Sequence, residues 1–156
     1  MTRGDDGSLT LLVIGYTLIA AVLVVIGVDV SKVFLAQRSL SSAADAAALA
    51  GAQAVDRAAV YRGAVGCATL PVDGAQARDA VAASLDDAGA GLRETFAALT
   101  APDVELAGDT VRVQLHGEVA VPFGRVLAVL LPDHEGGRVG VTADAAATTA
   151  LTAPAC

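Results

Sequence analysis

Two cysteines, Cys67 and Cys156, carry the most distinctive chemistry in the chain, and they stand far apart with no CxxC spacing and no neighbouring histidine pair. That pattern does not provide the four convergent ligands of a zinc site or the adjacent thiols of a redox motif. A disulfide between Cys67 and Cys156 requires an oxidising compartment. It would close a loop of about 90 residues, for which loss of chain entropy in the unfolded state is worth roughly 4–5 kcal/mol. Two unrelated free thiols are the other reading. His116 falls on the polar face of an expected strand, and His134 sits between Asp133 and Glu135 in an acidic loop. Consecutive loop residues rarely converge on one ion without ligands from elsewhere, so the trio reads as a solvated turn. Asp86 and Asp87, near a helix end, read as a surface pair rather than an acid/base couple.

No GxSxG, HExxH, Walker A or dinucleotide-binding glycine pattern occurs, and no cysteine lies near a histidine in sequence. The chain is also poor in the large polar and aromatic side chains from which active sites are built. A protein that is not an enzyme is expected, with no cofactor, no metal and no small-molecule substrate.

Composition narrows the class further. Hydrophobic residues make up 54% of the chain but aromatic ones only 3%, so the apolar content is Ala, Val and Leu and points to helices packed closely through small side chains. At 156 residues there is room for one anchor and one small domain. The net charge is −7, and the basic residues are scattered without a cluster, which argues against a nucleic-acid partner. After Asp29 come 14 acidic and 9 basic residues, a mildly acidic and soluble-looking portion.

The element that positions everything else is the run LTLLVIGYTLIAAVLVVIGV from Leu9 to Val28, which contains no charge. Its roughly 20 residues at 1.5 Å each match a hydrocarbon core of about 30 Å. A cleaved signal peptide normally has a shorter apolar core and a basic start, whereas this run follows MTRGDDGS, with two acids against one arginine. Asp29 ends the run, with Ser31 and Lys32 just after it, where its carboxylate reaches the solvated interface. Beyond it, VSKVFLAQRSLSSAADAAALAGAQAVDRAAVYR has no proline and only Gly51 as a glycine, so the same helix is expected to continue to about Tyr61.

Ile26, Val30, Val33, Gln37, Leu40, Ala44, Ala47, Gly51 and Ala54 recur at alternating steps of four and three, which keeps them on one helical face. The face changes from large to small residues as it leaves the apolar run. Small side chains admit close approach of another backbone, from the chain's own domain or from a neighbouring subunit. Val33, Leu40, Ala44, Ala47, Gly51 and Ala54 are therefore the candidate helix-packing interface.

The remainder reads as an α+β domain. GAVGCATLPV is expected to form the loop that ends the helix, and Val81, Leu85, Ala88, Leu92, Phe96 and Leu99 follow at helical spacing, interrupted by Gly89 and Gly91 and closed by Pro102. One kinked helix or two shorter ones fit. Val111, Val113, Leu115, Val119 and Val121 alternate as one face of a strand, with Gly108 and Asp109 turning back to a shorter strand at Val104 to Ala107. Pro122 suits the start of a helix through FGRVLAVLL, and Val139, Val141, Ala143 and Ala145 alternate in a last strand running almost to Cys156. The expected fold is a small antiparallel sheet packed with helices on one face, carried on a long amino-terminal helix. The expected divisions are a tail at 1–8, a transmembrane segment at 9–28, a helical continuation at 29–62, a loop at 63–72 and an extracytoplasmic α+β domain at 73–156.

The polar start containing DDGS, the apolar span ending in Asp29, and LAQRSLSSAADAAALAGA from Leu35 to Ala52 together resemble the amino-terminal module of TadE/TadG-like proteins of the Flp, or tight-adherence, pilus. AADAAALAGA at Ala43 to Ala52 is the specific part of that likeness. The resemblance implies a pilin-like (minor pseudopilin) or assembly subunit of such a pilus or a related secretion system. It also implies an amino terminus in the cytoplasm, a carboxy-terminal domain outside the membrane, and partners among membrane lipid and other Tad-type subunits. Charge does not set this orientation, because Lys32 and Arg38 follow the span while Arg3 precedes it. Prepilin peptidase substrates carry Glu at the fifth mature position, but cleavage after Gly7 would put Leu12 there, so an uncleaved anchor is expected.

Two other readings compete. A membrane-tethered extracytoplasmic binding module, an adhesin or sensor, would use the helix only as a tether. A secreted protein would lose its first 28 residues.

Overall fold

The computed structural model describes residues 6–63, 70–121, 123 and 137–149. The chain runs α1 (Asp6–Ala52), α2 (Arg57–Tyr61), α3 (Gly74–Thr95), β1 (Ala98–Leu99), β2 (Asp103–Ala107), β3 (Thr110–Ala120) and β4 (Arg138–Thr148). The result is α+β: a long apolar amino-terminal helix followed by a small antiparallel sheet and a helix.

α1 is 47 residues long, about 70 Å at 1.5 Å per residue. It ends at Ala52 and does not run on to Tyr61, which corrects the expected helix through 62. Helix propensity favours continuation, but tertiary pairing opposes it. Val55 forms an isolated antiparallel bridge with Val72, Asp56 N donates to Pro71 O at 2.9 Å, and Asp73 N donates to Ala54 O at 2.9 Å. The chain then restarts as α2, whose first turn is capped by the Asp56 carboxylate accepting from Ala59 N at 2.9 Å.

α3 is a single 22-residue helix that passes through Gly89 and Gly91 without a break. Asp73 caps it, its Oδ1 accepting from Ala75 N at 3.0 Å and Gln76 N at 3.1 Å. Val81 and Leu92 are buried along its inner face, and Phe96 closes it as the C-cap. Leu99, assigned by spacing to the same helical face, belongs instead to the short strand β1, where it is largely exposed.

β3 is the spine of the sheet. β2 and β1 lie end to end along one side of it and β4 pairs along the other, all antiparallel. The β2–β3 hairpin pairs Ala107 with Thr110 around Gly108 and Asp109. Gly108 has φ +65°, and no non-glycine residue among those described has a positive φ, so the turn puts its one left-handed residue first, as a type II′ hairpin does. Alternation along β3 buries Val111, Val113, Leu115 and Val119, and in β4 Val141, Ala143 and Ala145.

The core lies between that face and the helices. Ala36, Leu40, Ala44, Ala47 and Ala48 of α1 join Val81, Leu92 and Phe96 and the inward valines and alanines of the sheet in one cluster. Register matches size: Val113 stands opposite Ala145 and Leu115 opposite Ala143, so large residues of β3 are paired with small residues of β4. α1 packs against β4, β3 and α3. The outer half of the long helix is thus a wall of the domain rather than a bare stalk.

The expected helix through FGRVLAVLL lies outside the described residues, except that Phe123 is placed and partly exposed.

Candidate functional site

α1 has two halves with different surroundings. From Leu9 to Val28 its residues are exposed except for the partly buried Val25, with Leu11, Tyr16, Leu18 and Val24 each about two-thirds or more uncovered. Among the described residues this is one helix long and apolar enough to cross a membrane. Thr17, in the middle of the run, donates its hydroxyl to Val13 O at 2.8 Å, so its donor is satisfied within the helix. Such a surface is stable in hydrocarbon, where no water is present to be ordered, and is costly in water at about 25 cal/mol per Å² of apolar area.

The outer half places the candidate packing residues as follows. Leu40, Ala44 and Ala47 are completely buried, Val33 is partly buried against the same cluster, and Gly51 is buried. Ala54 lies beyond the helix end and is partly buried. The surface that covers this face is the chain's own sheet and α3. A Cβ added to Gly51 would lie 2.9 Å from both Val111 Cγ1 and Val81 Cγ2, so the seam between helix, strand and helix closes there to backbone distance. Gln37 crosses the seam lower down, its Nε2 donating to Thr142 O at 2.7 Å.

Ala36, Ala43, Ala48 and Ala52 are buried on the same side of α1 and were not singled out by the step-of-four-and-three stripe. They flank it by one position. A face wide enough to meet a sheet spans more than a single row of side chains, and a broader stripe would have included them.

Beside and behind this face, Phe34, Leu35 and Leu49 remain more than half exposed. Exposed apolar surface therefore continues two turns past the last residue of the uncharged run. Asp29, at the end of that run, is partly buried, and its Oδ1 is enclosed without a hydrogen-bond partner among the described residues.

The remaining candidates do not assemble into a chemical site. His116 lies on the exposed face of β3, and its carbonyl accepts from Thr100 N at 3.0 Å. Among the described residues no group of three or more His, Cys, Asp or Glu side chains is placed to hold a metal ion. The ion pairs Arg112–Glu105 at 3.7 Å and Arg138–Glu118 at 3.3 Å are both solvent-exposed, and such pairs contribute little to stability. Cys67, Cys156 and the trio at 133–135 lie outside the described residues.

What the arrangement does physically is join a lipid-compatible rod to a small domain through a tight, small-residue seam. Comparison with protein families matches residues 7–65 to the Tad family, described as "Putative Flp pilus-assembly TadE/G-like". Neither the curated proteins nor the solved structures contain a match to the chain.

Proposed function

We propose, from the match of residues 7–65 to the TadE/G-like Flp pilus-assembly family, that the protein is a non-enzymatic, single-pass membrane component of the pilus machinery, a minor pseudopilin or an assembly subunit. The carrying observation is that the module's first half presents an uncharged helical surface, Leu9 to Val28, which nothing in the chain's own fold covers. Lipid and the apolar helices of other Tad-type subunits are the surroundings in which that surface is stable. In this reading the amino terminus is cytoplasmic and the α+β domain is extracytoplasmic.

The small-residue face is occupied within the chain, so contacts with other subunits fall to the lipid-level helix and to the outward residues Phe34, Leu35 and Leu49. An adhesin or sensor role would need a ligand site on the domain, and no observation favours it over assembly. The reading also retains a Cys67–Cys156 disulfide. Its support is that Thr149 donates its hydroxyl to Leu70 O at 2.6 Å, joining a residue three positions after Cys67 to one seven positions before Cys156. The exported domain would meet the oxidising conditions such a bridge needs.

The test is complementation. A strain lacking the gene, supplied with the intact chain, should recover surface pili, and the chain should sediment with membranes and resist carbonate extraction. A Val22→Lys chain, with a charge at mid-span costing roughly 2.5–3.5 kcal/mol on insertion scales, should restore fewer. Full pilus display without the gene, or recovery of the intact chain as a soluble cytoplasmic protein, would reject the assignment.

A further inference from the structure

The domain has one end that faces the apolar span, and an apolar groove opens there. There the last residue after β3, Val121, and the second residue of β4, Val139, meet Asp29, Val30, Val33, Phe34 and Gln37 of α1 around an open groove of about 550 Å³. Val139 is 37% exposed in its wall, Val30 and Phe34 on the helix are 62% and 65% exposed, and Phe123, two residues beyond Val121 in the chain, is 37% exposed. Both long strands otherwise present polar or small residues outward, while Leu99 of β1, Leu49 of α1 and Tyr61 of α2 are further exposed apolar or aromatic residues away from this groove.

We propose that this β3–β4 end of the domain is a membrane-contact surface, seated in the headgroup layer of the leaflet from which α1 emerges. The proposal rests on the anchored reading given above and adds to it a fixed height and tilt for the domain.

Distance carries the argument first. Val28 closes the uncharged run and Val33 lines the groove five residues later, a rise of about 8 Å at 1.5 Å per residue. The polar layer on each side of the hydrocarbon core is roughly 5–8 Å deep, and apolar faces of interfacial segments sink about 5–10 Å into it. The groove therefore opens where acyl chains give way to headgroups. Continuity comes next, since Val30 and Phe34 extend the lipid-facing surface of α1 without interruption into the groove wall.

The polar residues at this end complete the pattern. Lys32 is exposed on α1, and Arg138 is exposed at the start of β4, where its Nη1 lies 3.3 Å from Glu118 Oε2. Long basic side chains flanking an apolar patch suit lipid phosphates above a buried patch. Asp29 lines the same groove, with its Oδ1 enclosed and without a partner among the described residues.

The chain contains no tryptophan, so single tryptophans report position without background. Four variants of the full chain, Ile19→Trp, Phe123→Trp, Val139→Trp and Tyr61→Trp, are reconstituted in phosphatidylethanolamine/phosphatidylglycerol vesicles, with and without a mixture of lipids brominated near the top and near the end of the acyl chain. Ile19→Trp reports the span, and Tyr61→Trp reports the far end, beyond the outer terminus of α1. The expected result is a loss of emission from the Ile19→Trp, Phe123→Trp and Val139→Trp chains in brominated vesicles, and none from Tyr61→Trp. Loss at position 19 alone overturns the membrane contact and leaves the anchor standing, whether acrylamide then finds positions 123 and 139 open to water or covered by protein. No loss at position 19 removes the anchored reading itself.

Discussion

Gly51 of α1 and Val111 of β3 approach so closely that a single added carbon on the glycine would sit 2.9 Å from a valine methyl. Val81 of α3 closes the same space from the other side at the same distance, and both valines are buried. Neither can swing aside, because a β-branched side chain has few rotamers and these two are enclosed. Gly51→Ala should therefore destabilise the protein by about 1–2 kcal/mol. Overpacking of about 1–3 kcal/mol outweighs the up to about 1 kcal/mol that alanine gains over glycine in a helix. Thermal unfolding in detergent, followed by circular dichroism, reads the sign, and an unchanged or raised midpoint would show that the seam is looser than described.

Gly117 of β3 provides a second test of the same kind at the other end of the sheet. A Cβ there would lie 2.6 Å from Cδ1 of the Phe96 ring, which is itself buried. Gly117→Ala should cost on the order of 1–3 kcal/mol. Combining it with Phe96→Leu should recover part of that loss, so a double-mutant cycle with no coupling would contradict the contact.

Ala44→Leu and Ala47→Leu should lower domain stability by about 1–3 kcal/mol each, because both sites are fully buried against the chain's own fold. Leu49→Ala, on the exposed side of the same helix, should change stability by no more than about 0.5 kcal/mol. This alters the meaning of leucine substitutions along the small-residue face. They act on folding of the subunit before they act on any partner, so loss of pili in such variants must be read beside protein abundance.

Gln37 ties α1 to β4 through a bond between residues 105 apart in sequence. Gln37→Leu should cost about 0.5–1.5 kcal/mol for the lost hydrogen bond. Hydrogen exchange at the β4 end of the sheet should speed up while that at the far end of α3 should not. Uniform protection in the variant would remove the link.

Asp73→Ala should destabilise by about 1 kcal/mol, within the usual 0.5–2 kcal/mol for loss of an N-cap that serves two backbone donors of α3. Asp73→Asn should recover most of that stability, since an amide oxygen accepts the same bonds. A loss of equal size in both variants would mean that charge rather than capping is responsible.

How far the fold could be read in advance varied with the range of the forces involved. The uncharged run from Leu9 to Val28 needs only its own length and composition, and the alternation of Val111, Val113 and Leu115 needs only a two-residue period. Gly108 marked the hairpin because a left-handed residue at that place favours glycine. α3 looked breakable at Gly89 and Gly91, yet packing of Val81 and Leu92 into the core holds it continuous at a propensity cost of about 1 kcal/mol per glycine. β1 was invisible, being two residues whose conformation is dictated by the free edge of β3 beside Glu118 and Gly117.

By itself the sequence determined that this protein carries a lipid-compatible helix, an α+β domain beyond it and a face of small residues between them, because hydrophobic period, length and turn chemistry are local properties of the chain. Tertiary structure alone decided what the small-residue face meets and where the long helix stops. Whether Ala44, Ala47 and Gly51 lie against a neighbour or against Val81 and Val111 depends on how α3 and the sheet fold back over the helix, from 30 and 60 residues beyond Gly51. No pattern within α1 encodes that return. The bridge from Val55 to Val72 likewise ends the helix by a pairing whose partner lies 17 residues further along the chain.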